Sequence, residues 1–568
     1  MPPYAKGKGG KTHSKKNMAK KRSLSKKSKE QPANAQSSNE NVREIATQVQ
    51  QALKDGNFEE AITGAKKLEE LLLDDEAAQT IYLTSLVWEI RAMQGLKRSA
   101  EEIGTAADKY ADEAVRLGDF ARAVQAHRIH AQVIIDSGAW LAAVEQLESA
   151  LNLAIEHQFG RETLEILMHL SALELKMCHY VEAIDYLSRA MNAIQPAGVV
   201  HEDFRELSAV GNRQLCELYD TIGDGQRACD ALEAAQNAGT HDPEELWMQQ
   251  LLLSRLDLRS GNADDACARL EHVESEVKKA VREGKSRPEQ VAMVELEHAQ
   301  AIWCRAQFKE AFDKLSQIEC DSRPIRLAVA LTRFQWAVET GKPTLNPDKE
   351  CADFGAVCNE TGDDVDVQIS LAAALAQASW EIEKGHYEPT FKSLLYIAQA
   401  AAFTQLVPFA TRALALRSEL HFAQGNYSQS AMDAQNACET FVDHVDDVSA
   451  RQAAAMMLRA QYAEVLAQNP KADLDDNETQ AFNQLLQDFE RFMSHHHISA
   501  GIALGLILAK IAHMRKDDDT VQRLLYALEK YIDPKWMAYS AMVFDKLIGT
   551  PEAIARAQKI AAENEFAF

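Results

Sequence analysis

The sequence predicts an all-α protein built from repeated helix pairs. Three observations carry that prediction: few chain breakers, an apolar period of 3.6 residues, and a short phrase that returns about every 40 residues. Only 14 Pro and 25 Gly occur in 568 residues, below the averages of roughly 5% and 7%. The length would suit about four ordinary domains of ~150 residues. With so few breakers, a β-sandwich, a propeller or a string of loop-rich modules is excluded. The apolar fraction of 46% and charged fraction of 26% fit an ordinary globular chain.

The helical period is visible in Trp140, Ala143, Val144, Leu147, Ala150, Leu151 and Ala154, which fall on one face of a helix. Phe308, Ala311, Phe312, Leu315 and Ile318 repeat it, as do Tyr180, Ala183, Ile184, Leu187 and Met191. No segment alternates apolar and polar residues around Asn-Gly or Asp-Gly, as hairpins require. The longest apolar stretch, Ile502 to Ala512, is too short to cross a membrane and predicts a buried helix.

The recurring phrase is a turn residue, usually Gly, then any residue, an aromatic, two residues, and a small residue. Copies are Gly56-Asn-Phe58-Glu-Glu-Ala61, Gly138-Ala-Trp140-Leu-Ala-Ala143, Cys178-His-Tyr180-Val-Glu-Ala183 and Ala306-Gln-Phe308-Lys-Glu-Ala311. Gly223, Gly261, Gly385 and Gly425 open others, and a weaker one starts at Gly95. Successive starts lie 38–45 residues apart, apart from one gap of 79 that hides a degenerate copy near residues 340–362. Glycine closes one helix and turns the chain, and the aromatic opens the next helix and packs back on the first. Each pair leaves one face bare, so only stacking builds a continuous core. Beyond Gly425 the spacing leaves room for two further pairs.

With Ala65 and Leu68 following it, Gly56-Asn-Phe-Glu-Glu-Ala-Ile62 resembles the turn and second helix of a tetratricopeptide (TPR) repeat. The likeness extends over about residues 42–440 and fades over 441–568. The ~40-residue unit, with no Pro closing each repeat, is similar to long-helix TPR-like arrays. The resemblance implies a right-handed α-α superhelix of roughly eleven to twelve helix pairs. Its expected domains are a disordered basic tail (1–40), a repeat array (41–468) and divergent C-terminal helical repeats (469–568).

Charge is uneven. Of the net −24, residues 1–30 contribute +10, from eleven Lys/Arg against Glu30, and the remainder −34. An acidic body repels nucleic acid, whereas Lys15, Lys16, Lys20, Lys21, Arg22, Lys26 and Lys27 of the tail predict non-specific contact with phosphate backbones. Translation from Met18 would leave six of these eleven cations. Nine scattered cysteines without CxxC fit a reducing compartment. No apolar run of 7–15 residues follows the basic stretch, as a secretory signal requires. A cytoplasmic location follows, with nucleoid or nuclear association through the tail.

Several local patterns fail on context. Residues 5–12 spell a loose phosphate loop but lack the strand that would feed it. Asp353-Phe354-Gly355 spells the kinase metal triplet with no companion motif. His127 with His130, and His495–His497, lack the further ligands a zinc site needs. Asp473, Asp475 and Asn477 start like a calcium loop, but Glu478 stands where glycine is required. No cofactor, metal or catalytic constellation is expected. In a stacked array the first helix of each pair lines the concave side. The TPR-like register places Arg128, Arg213, Arg255 and Arg412 there, a basic strip suited to an acidic peptide or C-terminal carboxylate. The competing reading is that each arginine pairs with a neighbouring carboxylate. The expected function is a non-catalytic scaffold holding a peptide or helix of a partner protein in the groove. The alternative is a regulator tethered to nucleic acid by its tail.

Overall fold

The computed structural model describes residues 33–568 apart from 74, 76, 77, 195–201, 343 and 361–365. All of it is helix and turn, with 26 α-helices and no strand among the described residues. The cationic tail residues and the loose phosphate loop lie outside the described residues. The first helix runs from Ala33 to Asp55. Residues 33–40 contain no Pro or Gly, and the apolar stripe Val42, Ile45, Val49 and Ala52 is buried. That stripe supplies the nucleus from which a helix propagates backwards at little cost.

Two compact units divide the chain after Ser137. The first holds α1 (Ala33–Asp55), α2 (Phe58–Leu72), α3 (Gln79–Gly95), α4 (Ala100–Arg116) and α5 (Phe120–Asp136). Each helix packs on the next. The aromatic of the repeated phrase works as expected: Phe58 lies against Gly95, where a Cβ would collide with its ring.

The second unit begins with α6 (Trp140–Glu156), α7 (Gly160–Lys176), α8 (Tyr180–Ile194), α9 (Arg205–Ile222), α10 (Gly225–Ala238), α11 (Pro243–Ser260) and α12 (Ala263–Arg282). It continues with α13 (Pro288–Cys304), α14 (Phe308–Ser316), α15 (Arg323–Thr340), α16 (Pro347–Asn359), α17 (Val367–Glu383), α18 (Tyr387–Phe403) and α19 (Val407–Ala423). It ends with α20 (Tyr427–Asp443), α21 (Asp447–Gln468), α22 (Asp476–Ser494), α23 (Ile498–Arg515), α24 (Asp518–Leu528), α25 (Ala538–Ile548) and α26 (Pro551–Asn564). α16 is the degenerate copy. Three pairs rather than two follow Gly425, so the helices amount to thirteen pairs. His496 and Lys516 hide two of the late turns: they hold the left-handed conformation (φ 55° and 60°) that glycine takes elsewhere. Cys178 and Ala306 do the same in mid-chain.

α23 is long and apolar enough to span a membrane, yet it is a core helix. Ile502, Leu504, Leu508, Ala509 and Ile511 have no exposed surface, because α13, α21, α22, α24 and α25 all pack on it.

In the second unit, each of four first helices also meets the helix ten places on: α9 with α19, α11 with α21, α13 with α23, and α15 with α25. Five pairs therefore complete one winding, and the next winding seats on it. Single residues at the turns make the seam. The ring of Phe492 lies against Gly261, and His496 Nδ1 stands 2.6 Å from Asp264. Gln368 donates to the Tyr180 hydroxyl at 3.2 Å.

His497 belongs to this seam and gives it a pH dependence. The residue is 5% exposed, and its Nδ1 accepts the Ala500 N–H to cap α23. The main chain of Leu258 in α11 lies near the ring and favours its charged form. Burial pushes the imidazole down to about 4, against ~6.5 in an unfolded chain. Between those values the unfolded state binds more protons, so stability is full above about pH 6.5 and drains as the pH falls toward 4. At about 1.4 kcal/mol per unit, urea unfolding should register a loss of roughly 2–3 kcal/mol between pH 7 and pH 4.5. His497→Asn, which retains a capping side chain, should flatten that slope. An unchanged slope would exclude His497 as its source.

Candidate functional site

Winding five pairs to a turn brings the inner faces of α13, α15, α17, α19 and α21 to one cavity of about 610 Å³. Trp303 and Trp336 form one wall, stacked with centroids 4.2 Å apart and planes within 7°. The Trp303 indole donates to Glu339 at 2.8 Å, which fixes its orientation. Leu375, Leu416, Phe441 and Met456 complete an apolar lining, and Gln335, Ser379, Ser449 and Gln452 add neutral polar groups. Only two lining side chains carry charge, Glu339 and Arg412. Both reach the water in the cavity, although protein surrounds them. Burial pushes the Glu339 carboxyl up and the Arg412 guanidinium down.

No family model matches the sequence, and no curated protein matches it. Among solved structures, the chain is similar to the APC/C hetero-tetramer Cut9–Hcn1, with 12% identity, coverage of 92% of this chain and 93% of that one, and a TM-score of 0.43. It is also similar to a Rap protein complexed with competence and sporulation factor, with 11% identity, coverage of 71% and 99%, and a TM-score of 0.34. What decides the architecture is the chain's own succession of paired helices at a 40-residue period. The chain is an all-α protein of stacked helix pairs.

Within the second unit of this helix-pair array, charge follows the repeat. Arg255 of α11 pairs with Glu297 of α13 at 2.5 Å. Arg213 of α9 pairs with Glu245 of α11 and with Glu217, at 2.8 and 2.9 Å. Arg259 pairs with Asp220, and Arg459 with Glu419 at 2.8 Å. These cations are therefore engaged inside the chain. Arg128 lies on α5 of the first unit. Arg412 makes no ion pair or hydrogen bond with any described residue.

The separation is legible in hindsight. The acids paired with Arg213, Arg255, Arg259 and Arg459 lie 32 to 42 positions away, one repeat. Forty positions either side of Arg412 stand Ala372 and Gln452, neutral residues that line the same cavity. The acids that do fall one repeat on, Asp446 and Asp447, are used otherwise: Asp446 caps α21 and Asp447 pairs with Arg491. The cavity itself left no such mark, because Trp303 and Trp336 read as ordinary core.

The other sequence patterns find structural roles. His130 pairs with Asp108 at 2.8 Å, and Asp475 caps α22 in a reciprocal capping box with Glu478. No group of His, Cys, Asp or Glu among the described residues is arranged to hold a metal. Burial raises the Cys216 and Cys304 thiols to about 12, far from the thiolate a nucleophile needs.

Proposed function

We propose that this protein is a non-catalytic interaction scaffold whose second unit receives a segment of a partner protein, peptide or helix, on the concave side of its winding. The observation that supports this reading is the convergence of five successive inner helices on one preformed cavity lined by apolar and neutral polar side chains. Helical-repeat arrays use their concave faces in this way, and a preformed surface keeps the ordering cost of binding low. A cavity-filling variant tests it. Ser379→Trp should remove at least one protein from the set captured by the full chain in its host lysate, with the helical signal unchanged. An identical captured set would overturn the reading.

The charge of residues 1–30 supports a second reading, tethering to nucleic acid. Full-length chain should bind duplex DNA with an affinity that falls steeply with salt, by about 0.9 log units per log of salt for each phosphate neutralised. Deleting residues 1–32 should abolish that binding while leaving partner capture intact. Binding that persists after the deletion would refute a tether in the tail.

A further inference from the structure

Arg412 is an anomaly among the inner arginines. Arg213, Arg255 and Arg459 each have a carboxylate within 3 Å, whereas Arg412 faces the cavity with no counter-ion at bonding distance. Asp446 and Asp220 favour its charge from beyond bonding distance, and Arg259, itself paired with Asp220, opposes it. Its side chain keeps access to solvent, but the surrounding protein disfavours its charge and no side chain compensates with a direct ion pair. Such a group is stabilised most by an anion supplied from outside.

The surroundings narrow that anion. The fork of a guanidinium matches a carboxylate with two parallel hydrogen bonds. Arg412 is the sole cation in the lining, and Glu339 shares the space, so a monoanion suits the site better than a phosphate dianion. The volume of about 610 Å³ lies within the range of small-ligand pockets. The rest of the wall sets the Trp303–Trp336 stack and aliphatic side chains among neutral polar groups, which calls for an uncharged, largely apolar body next to the charge. Cys304 and Gln300 also line the cavity without adding charge.

We propose that the cavity is a receptor site for an organic carboxylate on an aromatic or apolar body, with the carboxylate held by Arg412 and the body laid against the Trp303–Trp336 stack. This names the chemistry that the scaffold admits, and rests on the preceding reading for where the ligand enters. Two sources share that chemistry: a free organic acid, or an apolar residue of a partner bearing a terminal carboxylate.

The test uses the full chain and two arms of probes, followed by tryptophan fluorescence and saturation-transfer NMR. Indole-3-acetate and 3-phenylpropionate, each against its methyl ester, represent the free acid. Acetyl-Gly-Gly-Phe with a free carboxylate, against its amide, represents the partner terminus. The carboxylate form in at least one arm should bind about 10- to 100-fold more tightly than its neutral analogue. Arg412→Gln should abolish that preference, and Ser379→Trp should abolish binding. Binding in the first arm alone identifies a small-molecule effector, and in the second alone a partner terminus.

Arg412→Gln should also leave the ligand-free urea midpoint unchanged or raised, whereas Arg255→Gln should lower it. Failure of every probe, equal binding of acid and neutral analogue, or indifference to Arg412→Gln would overturn the proposal. If partner capture still depends on an unfilled cavity in that case, the scaffold reading survives and only the carboxylate is refuted.

Discussion

Arg459→Ala is expected to cost about 3–5 kcal/mol of unfolding free energy, near the upper range of single substitutions. Arg459 is 1% exposed, and its guanidinium lies 3.9 Å from the centre of the Phe422 ring. It donates to Glu419 at 2.8 Å across one repeat, from α21 to α19. Truncation removes the packing of the stem, the contact with the ring and the counter-charge of Glu419. Lys510 stands close by, its ammonium held down to about 8 by burial and by Arg459. Without Arg459 this lysine becomes the only cation facing Glu419, which limits the loss toward the lower end of the range. Removing both charges should do less harm than removing one, because a broken buried pair leaves an uncompensated ion. Urea unfolding should therefore place Arg459→Met with Glu419→Gln above Arg459→Ala. If the double variant falls below it, the pair contributes net stability and the argument from desolvation fails.

The same pair shows what the sequence could and could not disclose. A period of about 40 residues, written in Gly56, Gly138, Gly261 and Gly425, revealed helix pairs because each phrase closes a local turn. Contacts one repeat apart, such as Arg459 with Glu419, share that period and were open to inference. Contacts ten helices apart were not. Gly225 against the main chain of His444, or Gly261 against the Phe492 ring, join positions more than 200 residues apart at single points. Phe492 has the spacing of any core aromatic, and His497 is one of three consecutive histidines with nothing in the sequence to single it out. The tightness of the winding, and with it the enclosure of the cavity, comes from those few residues and carries no periodic signature. The same blindness shortened the array by a pair, since His496 and Lys516 turn the chain without glycine.

Gly225→Ala tests the winding itself. A Cβ on Gly225 would overlap the main-chain carbonyl of His444, with the Cβ of Val445 at 3.0 Å. A backbone carbonyl cannot rotate aside as a side chain can, so the α9–α10 turn and the α20–α21 turn must separate. Val445 is held at φ 54°, a left-handed conformation that β-branched residues adopt only under constraint. Separation would release that strain and offset part of the cost, leaving about 2–3 kcal/mol of the overpacking penalty. Gly160→Ala is the control: Gly160 opens α7 with nothing within 4 Å of the added carbon. There the substitution should be neutral or stabilise by up to about 1 kcal/mol. Hydrogen exchange should separate a seam that opens from a unit that loosens throughout. In Gly225→Ala, protection should fall at the facing ends of α9, α10, α20 and α21, and persist in α13 and α23. If Gly225→Ala is as mild as Gly160→Ala, the two windings are not seated on each other in solution. The cavity behind them would then be an open groove.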